Sequence, residues 1–159
     1  MLTAPRITEE VDGFRRRVED LYAKVQRWIT ARRPDAEFHR TQVELSEEAT
    51  GVYQLDSLDV ALPGLPSLRF VPRGIFMVGA HGRVDVRSRL GREVLVWLEA
   101  GEPSLATSEA AGDDAERIIS RPIFRDVAEG WAWTDSKRGR VLPLAPEVLW
   151  DLVLEPLTR

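Results

Sequence analysis

Residues 7–28 read ITEEVDGFRRRVEDLYAKVQRW and carry the clearest pattern in the chain. Their large apolar residues recur at alternating intervals of four and three, which predicts one apolar stripe along an α-helix. The stripe consists of Ile7, Val11, Phe14, Val18, Leu21, Val25 and Trp28. A coiled coil that pairs two subunits is one interpretation of this spacing. We expect instead a single helix laid over the protein's own sheet, because three heptads are short and Phe14 and Trp28 are bulky for a tight seam.

The residues that flank the stripe predict where the helix begins and ends. Thr8 is the expected N-cap, and Glu9 and Glu10 would lie in the first turn, where the helix dipole favours anions. Pro34 is expected to end the helix, because the residue before a proline avoids the helical region.

Most of the remaining chain alternates between apolar and polar residues, as antiparallel strands do. We expect strands at Thr41–Leu45, Val52–Leu62, Leu68–Val71, Ile75–Val78, Arg83–Ser88, Glu93–Leu98, Ile123–Val127, Gly130–Thr134 and Arg140–Leu144. A short apolar helix should begin at Pro146 and end at Pro156.

Together these elements predict an α+β fold, in which a long N-terminal helix packs on a twisted antiparallel sheet of about six to eight strands and a short C-terminal helix follows. The sheet residues expected beneath the first helix are Ile75, Phe76, Val84, Val86, Val94 and Val96.

The length of 159 residues suits one domain, and no linker divides the chain, so we expect a single α+β domain over residues 1–159. Residues 100–121 interrupt the strand pattern with an acidic stretch rich in Ala, Gly and Ser. This stretch is too long for a hairpin loop, and we predict a mobile loop excursion there.

The composition excludes several classes of protein. With 22 basic and 26 acidic residues the net charge is −4, which argues against non-specific nucleic-acid binding. Because the chain has no cysteine, it has no disulfides, no thiolate nucleophile and no cysteine metal ligands. We see no secretory leader and no apolar run long enough to span a bilayer, and we expect a bacterial, cytoplasmic protein.

No motif in the sequence carries a recognisable chemistry. There is no HExxH zinc motif, no G-x-S-x-G elbow and no glycine-rich phosphate loop. The two histidines, His39 and His81, lie far apart in the sequence, and Asp113 and Asp114 fall in the acidic stretch, where solvent keeps carboxylates ionised. We therefore predict no catalytic residue, no metal and no cofactor, and an enzyme is the least favoured alternative.

Two predicted hairpins carry clusters of basic residues. Arg83, Arg87, Arg89 and Arg92 surround the first turn, and Lys137, Arg138 and Arg140 crown the second. If both turns lie at one end of the sheet, they form a positive patch. Trp131 and Trp133 precede the second turn, and aromatic rings beside cations are what single-stranded nucleic acid requires. A nucleic-acid or phosphate-ligand binder is therefore the alternative function.

The function that we favour is a non-catalytic module whose partner is another protein. Five tryptophans and many arginines support this prediction, because these residues are enriched in binding hot spots. In size and composition the chain is similar to small bacterial immunity and defence-accessory proteins. The predicted contact residues are Arg83, Arg87, Arg89, Trp131, Trp133, Lys137, Arg138 and Arg140. The sequence leaves a monomer and a homodimer equally open.

Overall fold

The computed structural model describes residues 3–76, 80–99, 129–135 and 137–159. Within these residues one long helix is followed by seven strands and a short helical segment, which confirms the predicted α+β fold. In chain order the elements are α1 (Ala4–Arg32), β1 (Glu37–Glu47), β2 (Gly51–Ala61), β3 (Leu68–Gly74), β4 (Arg83–Ser88), β5 (Gly91–Leu98), β6 (Gly130–Asp135), β7 (Arg140–Pro143), α2 (Pro146–Val148), a π-helical stretch (Leu149–Leu154) and α3 (Glu155–Thr158).

The seven strands form one sheet in which spatial order follows chain order from β1 to β7. Every neighbouring pair is antiparallel, so consecutive strands lie side by side, including β5 and β6, which the long segment from Leu98 to Gly130 connects. Within this sheet β1 and β7 are the two edge strands. We call the side covered by α1 the helix face and the opposite side the outer face.

The apolar stripe of α1 packs on the helix face. Its buried residues are Val11, Phe14, Val18, Leu21, Tyr22, Val25 and Ile29. They share one core cluster with sheet residues such as Phe70, Val84 and Leu95, and Ile7 and Trp28 are partly buried against the same cluster. The expectation of a helix laid over its own sheet is thereby confirmed, and Tyr22 and Ile29 widen the predicted stripe.

A polar contact fixes where α1 crosses the first strands. The Tyr22 hydroxyl donates to the carbonyl oxygens of Asp56 at 2.8 Å and Phe70 at 3.3 Å, so one side chain ties the helix to both β2 and β3. Burial raises the pKa of the Tyr22 hydroxyl, which keeps it protonated as a donor. The Arg40 guanidinium lies 4.9 Å from the centre of the Tyr22 ring and pairs with Glu19 of α1.

The residues predicted beneath α1 are only partly correct. Those confirmed in the core cluster are Ile75, Val84 and Val86. Phe76 is wrong, because 43% of it is exposed. Val94 and Val96 are also wrong, because they belong to a second, smaller cluster and Leu95 takes the place beneath the helix. Because β5 is apolar at consecutive positions, its composition does not reveal which residues face α1.

The helix begins earlier than predicted. Its first residue is Ala4, and the Thr3 side chain caps it by accepting a hydrogen bond at 3.4 Å from a backbone N–H of the first turn. The predicted cap, Thr8, lies inside the helix and donates to the Ala4 carbonyl. The three residues before Ile7, which are Ala4, Pro5 and Arg6, include no large apolar residue, so periodicity could not reveal them. The helix ends at Arg32, which confirms that Pro34 stops it.

The segment that follows β3 also differs from its prediction. The expected strand Ile75–Val78 is wrong over its described part, because Ile75 and Phe76 belong to no strand. Their backbone N–H groups donate to the Glu47 carboxylate at 3.0 Å, so a side chain replaces the neighbouring strand. The predicted strand Ile123–Val127 and the predicted loop at residues 100–121 lie outside the described residues.

The C-terminal segment confirms one of its predicted ends. Pro146 is the first residue of α2. Pro156 does not end the segment, because it lies in the first turn of α3, where a proline is tolerated. The Trp150 indole N–H donates to the Trp28 carbonyl at 3.3 Å, which docks the segment against the end of α1.

The packing of Phe14 predicts a stability test at Gly82. A Cβ atom on Gly82 would lie 2.9 Å from Cε1 of the Phe14 ring, which the packed core cannot accommodate without movement. We expect Gly82→Ala to lower the free energy of unfolding by about 1–3 kcal/mol, as overpacked cores do. Urea unfolding measures this change.

The matched control is Gly13→Ala, at a helical position where a Cβ would meet nothing nearer than 3.9 Å. This substitution should raise the free energy of unfolding by about 0.5–1 kcal/mol, because alanine favours the helix. Equal effects of the two substitutions would contradict the close approach of Phe14 to Gly82.

Candidate functional site

The two basic hairpins lie at the same end of the sheet. Arg87 pairs with Arg92 next to the β4–β5 turn, and Val94 of β5 pairs with Thr134 just before the β6–β7 connection. Because β5 is shared, both connections lie at its N-terminal end. Their basic side chains nevertheless form two groups, one on the outer face and one in a groove near the C-terminal segment, and Arg92 belongs to both.

The first group is a row of arginines across three adjacent strands of the outer face. Arg69 of β3 is paired with Arg87 of β4, which in turn is paired with Arg92 of β5. Their neighbours in sequence, such as Phe70 and Val86, point into the core beneath α1. Side chains alternate along a strand, so the arginines point to the opposite side.

A buried carboxylate lies beside this row. Asp85 is fully buried, and its Oδ1 is 2.7 Å from Nε of Arg83. Its Oδ2 is 3.6 Å from Nε of Arg73 and 3.7 Å from Nη1 of Arg92. Three guanidinium groups therefore surround one carboxylate, and two of the three are about half exposed. We call the whole set the arginine face. It consists of Arg69, Arg73, Arg83, Arg87 and Arg92.

The arginine face carries an excess of positive charge on an acidic protein. Only two carboxylates of the described residues contact its five guanidiniums, Asp85 and Asp59, which accepts a hydrogen bond from Arg69 at 2.9 Å. Arg87 is exposed and forms no ion pair with any described residue. Like charges directly opposite one another destabilise a sheet, so a bound anion would stabilise the row of arginines.

The second group of basic residues lines a groove of about 750 Å³ beside the C-terminal segment. Arg138 and Arg140 are 3.3 and 3.7 Å from the Asp135 carboxylate. The acidic residues Asp151 and Glu155 line the same groove. Cations and anions are thus interspersed there, and the groove lacks the single sign of charge that a phosphate-rich ligand requires.

Trp131 and Trp133 are buried on the helix face, with only 6% and 4% of their surfaces exposed. The Trp131 indole N–H donates to the Arg17 carbonyl at 3.0 Å, and its ring meets Trp97 edge-to-face at 5.8 Å. The Trp133 indole N–H donates to the Glu93 carboxylate at 2.8 Å. Both rings are therefore part of the core and are not presented for stacking on nucleic-acid bases.

Glu93 is the titratable group most affected by this packing. Burial raises the pKa of its carboxyl group above the ordinary value. The indole N–H of Trp133 opposes this shift by donating to the carboxylate, and the nearby charge of Asp135 adds to it. Ionised Glu93 is therefore less favourable in the folded protein than in the unfolded chain.

The two histidines lie apart, although Nδ1 of His81 is 3.6 Å from Oε1 of Glu99. His39 lies on β1, whereas the backbone N–H of His81 donates to the Trp97 carbonyl on β5. Among the described residues no group of three His, Cys, Asp or Glu side chains is placed to hold a metal ion. Within the same residues no helix is both long enough and apolar enough to cross a membrane.

The structure brings together part of the predicted contact set. Arg83 and Arg87 join the arginine face, Arg89 is exposed in the β4–β5 turn, and Lys137, Arg138 and Arg140 lie at the separate groove. Sequence reasoning missed Arg69 and Arg73. The alternation of Leu68, Arg69 and Phe70 already placed an arginine opposite the core, but the register that aligns it with Arg87 is not visible in the sequence.

Comparison with known protein families, with curated proteins and with solved structures finds no match to this chain. The arginine face is therefore the feature of this protein from which a function can be inferred.

The burial of Asp85 predicts that its charge is needed for stability. We expect Asp85→Asn to lower the free energy of unfolding by about 3 kcal/mol, because a neutral amide leaves three guanidiniums without their buried counter-charge. The control is Asp59→Asn, since Asp59 is 32% exposed and pairs with one arginine. It should lose about 1 kcal/mol or less. If urea unfolding gave similar losses of unfolding free energy for the two variants, the burial of Asp85 would not contribute to stability.

The raised pKa of Glu93 predicts a pH-dependent effect. The pKa of the Glu93 carboxyl group is higher in the folded protein than in the unfolded chain. The contribution of Glu93 to the free energy of unfolding is therefore fully present below the unfolded-state pKa, and it is lost as the pH rises through the folded-state pKa. Glu93→Gln should therefore be more stable than the wild type at neutral pH. The two proteins should converge below about pH 4, where the carboxyl group is protonated.

Thermal unfolding across this pH range tests the prediction, with the exposed Glu147 as the site of a control substitution, Glu147→Gln. A difference between Glu93→Gln and the wild type that stays constant with pH would show that ionisation of Glu93 is not its cause.

Proposed function

We propose that the protein is a non-catalytic binding module that holds a partner protein through an acidic segment seated on the arginine face. The observation that carries this proposal is the row Arg69, Arg87 and Arg92, which places three guanidiniums on adjacent strands with Arg87, the middle one, lacking a carboxylate partner among the described residues. Such a row is unfavourable in isolation and becomes favourable when carboxylates from another molecule lie across it.

The geometry of the row suits an extended acidic peptide segment. Neighbouring strands are about 4.8 Å apart, so the row spans about 10 Å. Alternate side chains of an extended segment are about 7 Å apart on one side, so two acidic residues of a partner segment would reach the row. Guanidinium groups bind carboxylates in a bidentate manner, which would add specificity to the charge attraction.

Nucleic acid is the alternative partner and is less well supported. The two tryptophans that sequence analysis offered for base stacking are buried, and the basic groove beside the C-terminal segment is interspersed with carboxylates. The net charge of −4 opposes every anionic partner at long range, and it opposes a nucleic acid more than a short acidic segment, because the nucleic acid carries more charges. We further propose that the protein is bacterial and cytoplasmic and acts as an immunity or defence-accessory protein. This narrower proposal is supported only by the size and composition of the chain.

Arg87→Glu tests the proposal because it changes binding and stability in opposite directions. The new carboxylate would lie between Arg69 and Arg92, so the free energy of unfolding should rise by about 0.5–1 kcal/mol. Binding of a fluorescently labelled, glutamate-rich decapeptide, measured by anisotropy at low ionic strength, should weaken by about tenfold, which corresponds to about 1.4 kcal/mol. Peptide binding by the wild type should also weaken with added salt.

The control is Arg27→Glu, which makes the same charge change at an exposed position of α1. It should leave peptide binding within about twofold of the wild type, because it lies on the covered side of the sheet and salt screens distant charges. No peptide binding at low salt, or equal losses in the two variants, would overturn the proposal. Tighter binding of a single-stranded oligonucleotide of equal charge, with the same sensitivity to Arg87→Glu, would replace it with the nucleic-acid alternative.

A further inference from the structure

The edge strand β1 is long and regular. It runs for 11 residues, Glu37–Glu47, well beyond the predicted Thr41–Leu45, and contains neither proline nor glycine. All 11 residues pair with β2 without a register shift. In an antiparallel ladder about half of these residues direct both N–H and C=O away from β2. Among the described strands none lies on that side.

The opposite edge of the sheet is built differently. β7 has four residues and ends at Pro143, so it offers few outward donors. Short edge strands, prolines and charged side chains are the usual means by which a sheet avoids pairing with another chain. β1 shows only the last of these, in Arg40 and its glutamates, so its edge can accept an added strand whose charges are complementary.

We propose that β1 pairs with β1 of a second copy of this chain, antiparallel and with Gln42 opposite Gln42. This is the register that pairs the full length of the strand, because Gln42 is the middle residue of Glu37–Glu47. The same register places Arg40 of each copy opposite Glu44 of the other, which gives two attractive cross-strand pairs on the helix face. Thr41 would lie opposite Val43, two β-branched residues that pack well in sheets.

The neighbouring registers lack this complementarity. In both copies, the residues that pair must be those whose backbone N–H and C=O groups point away from β2. The alternative registers are therefore those in which the residue on the two-fold axis moves from Gln42 to the next or the previous residue, and so on. Centring the pair on Thr41 or on Val43 places no carboxylate opposite Arg40. Centring it one residue further on places Arg40 against Arg40 or Glu44 against Glu44, which is repulsive. The charge pattern of β1 thus selects the Gln42 register.

Contacts within one copy fix the position of Arg40. It donates to Glu19 of α1 at 2.7 and 3.0 Å, and its Nη1 lies 3.9 Å from the Asp56 carboxylate, so Glu44 of a second copy would add a further carboxylate beside this guanidinium. Glu44 is exposed and forms no ion pair with a described residue. At the ends of the strand Glu37 would face Glu47, but the Glu47 carboxylate is held by the backbone N–H groups of Ile75 and Phe76.

Cysteine cross-linking tests the register directly. Only a residue on the two-fold axis lies opposite itself, and directly opposed Cα atoms are about 4.5–5.5 Å apart, within the range of a disulfide. The chain has no cysteine, so any disulfide in a single-cysteine variant joins two copies. Gln42→Cys should form a covalent dimer under mild oxidation, whereas Thr41→Cys and Val43→Cys should form little. Equal cross-linking of all three variants, or of none, would overturn the register.

Sedimentation velocity of the protein of residues 1–159 tests the pairing without a cross-link. The wild type should dimerise as concentration rises, and Gln42→Lys should remain monomeric because it places two ammonium groups against each other on the axis. Gln42 is paired with Asp56 of β2, so Gln42→Lys should fold at least as stably as the wild type. Glu44→Arg, which places a second guanidinium opposite Arg40, should also be monomeric.

A wild type that stays monomeric to its solubility limit, or a Gln42→Lys variant that still dimerises, would overturn the proposal. Gln42→Lys should keep the decapeptide binding of the wild type within about twofold, because β2 separates β1 from the arginine face. Loss of the dimer with retained peptide binding would therefore separate this inference from the proposed function.

Discussion

The packing of the α1 stripe on one face of the sheet is the constraint from which the rest of the structure follows. Each central strand must supply apolar side chains to that face, as Phe70, Val86 and Leu95 do. The intervening residues are then directed to the outer face by the alternation of the strand. On β3 and β4 those intervening residues include Arg69 and Arg87, so the arginine face is the reverse side of the same pattern that builds the core.

Periodicity within a single element could be predicted from the sequence, and relationships between elements could not. The α1 stripe and the existence of most strands follow from the local spacing of apolar residues, because burial of those residues in the core stabilises each element. Which face of β5 meets the helix is invisible because Val94, Leu95 and Val96 are equally apolar. The burial of Trp131 and Trp133 could not be predicted for a similar reason. A tryptophan occurs both in cores and at interfaces, so its identity does not tell which face of β6 it occupies.

The arginine face shows how such a cluster is kept in a stable fold. Asp85 is completely buried on the outer side and neutralises part of the charge of Arg73, Arg83 and Arg92. Its removal would leave these three guanidiniums without a counter-charge from the described residues, and Arg87 already lacks one. Asp85 therefore stabilises the arginine cluster, whereas no described carboxylate neutralises Arg87. Sequence reasoning found Arg83, Arg87 and Arg92 around the β4–β5 turn, but it could not see that Asp85 contacts Arg83 and Arg92 together with Arg73 of β3.

The two proposed surfaces would act together if both exist. Pairing of β1 with a second β1 has its two-fold axis perpendicular to the sheet, so the outer faces of both copies would lie on the same side. Arg69 is on β3, and five strand spacings would then separate β3 of one copy from β3 of the other, about 24 Å. A partner with two acidic segments at that separation would bind both copies, and the second contact would form at a high effective concentration. A weak, salt-sensitive site on one copy could in this way support stable binding by the dimer.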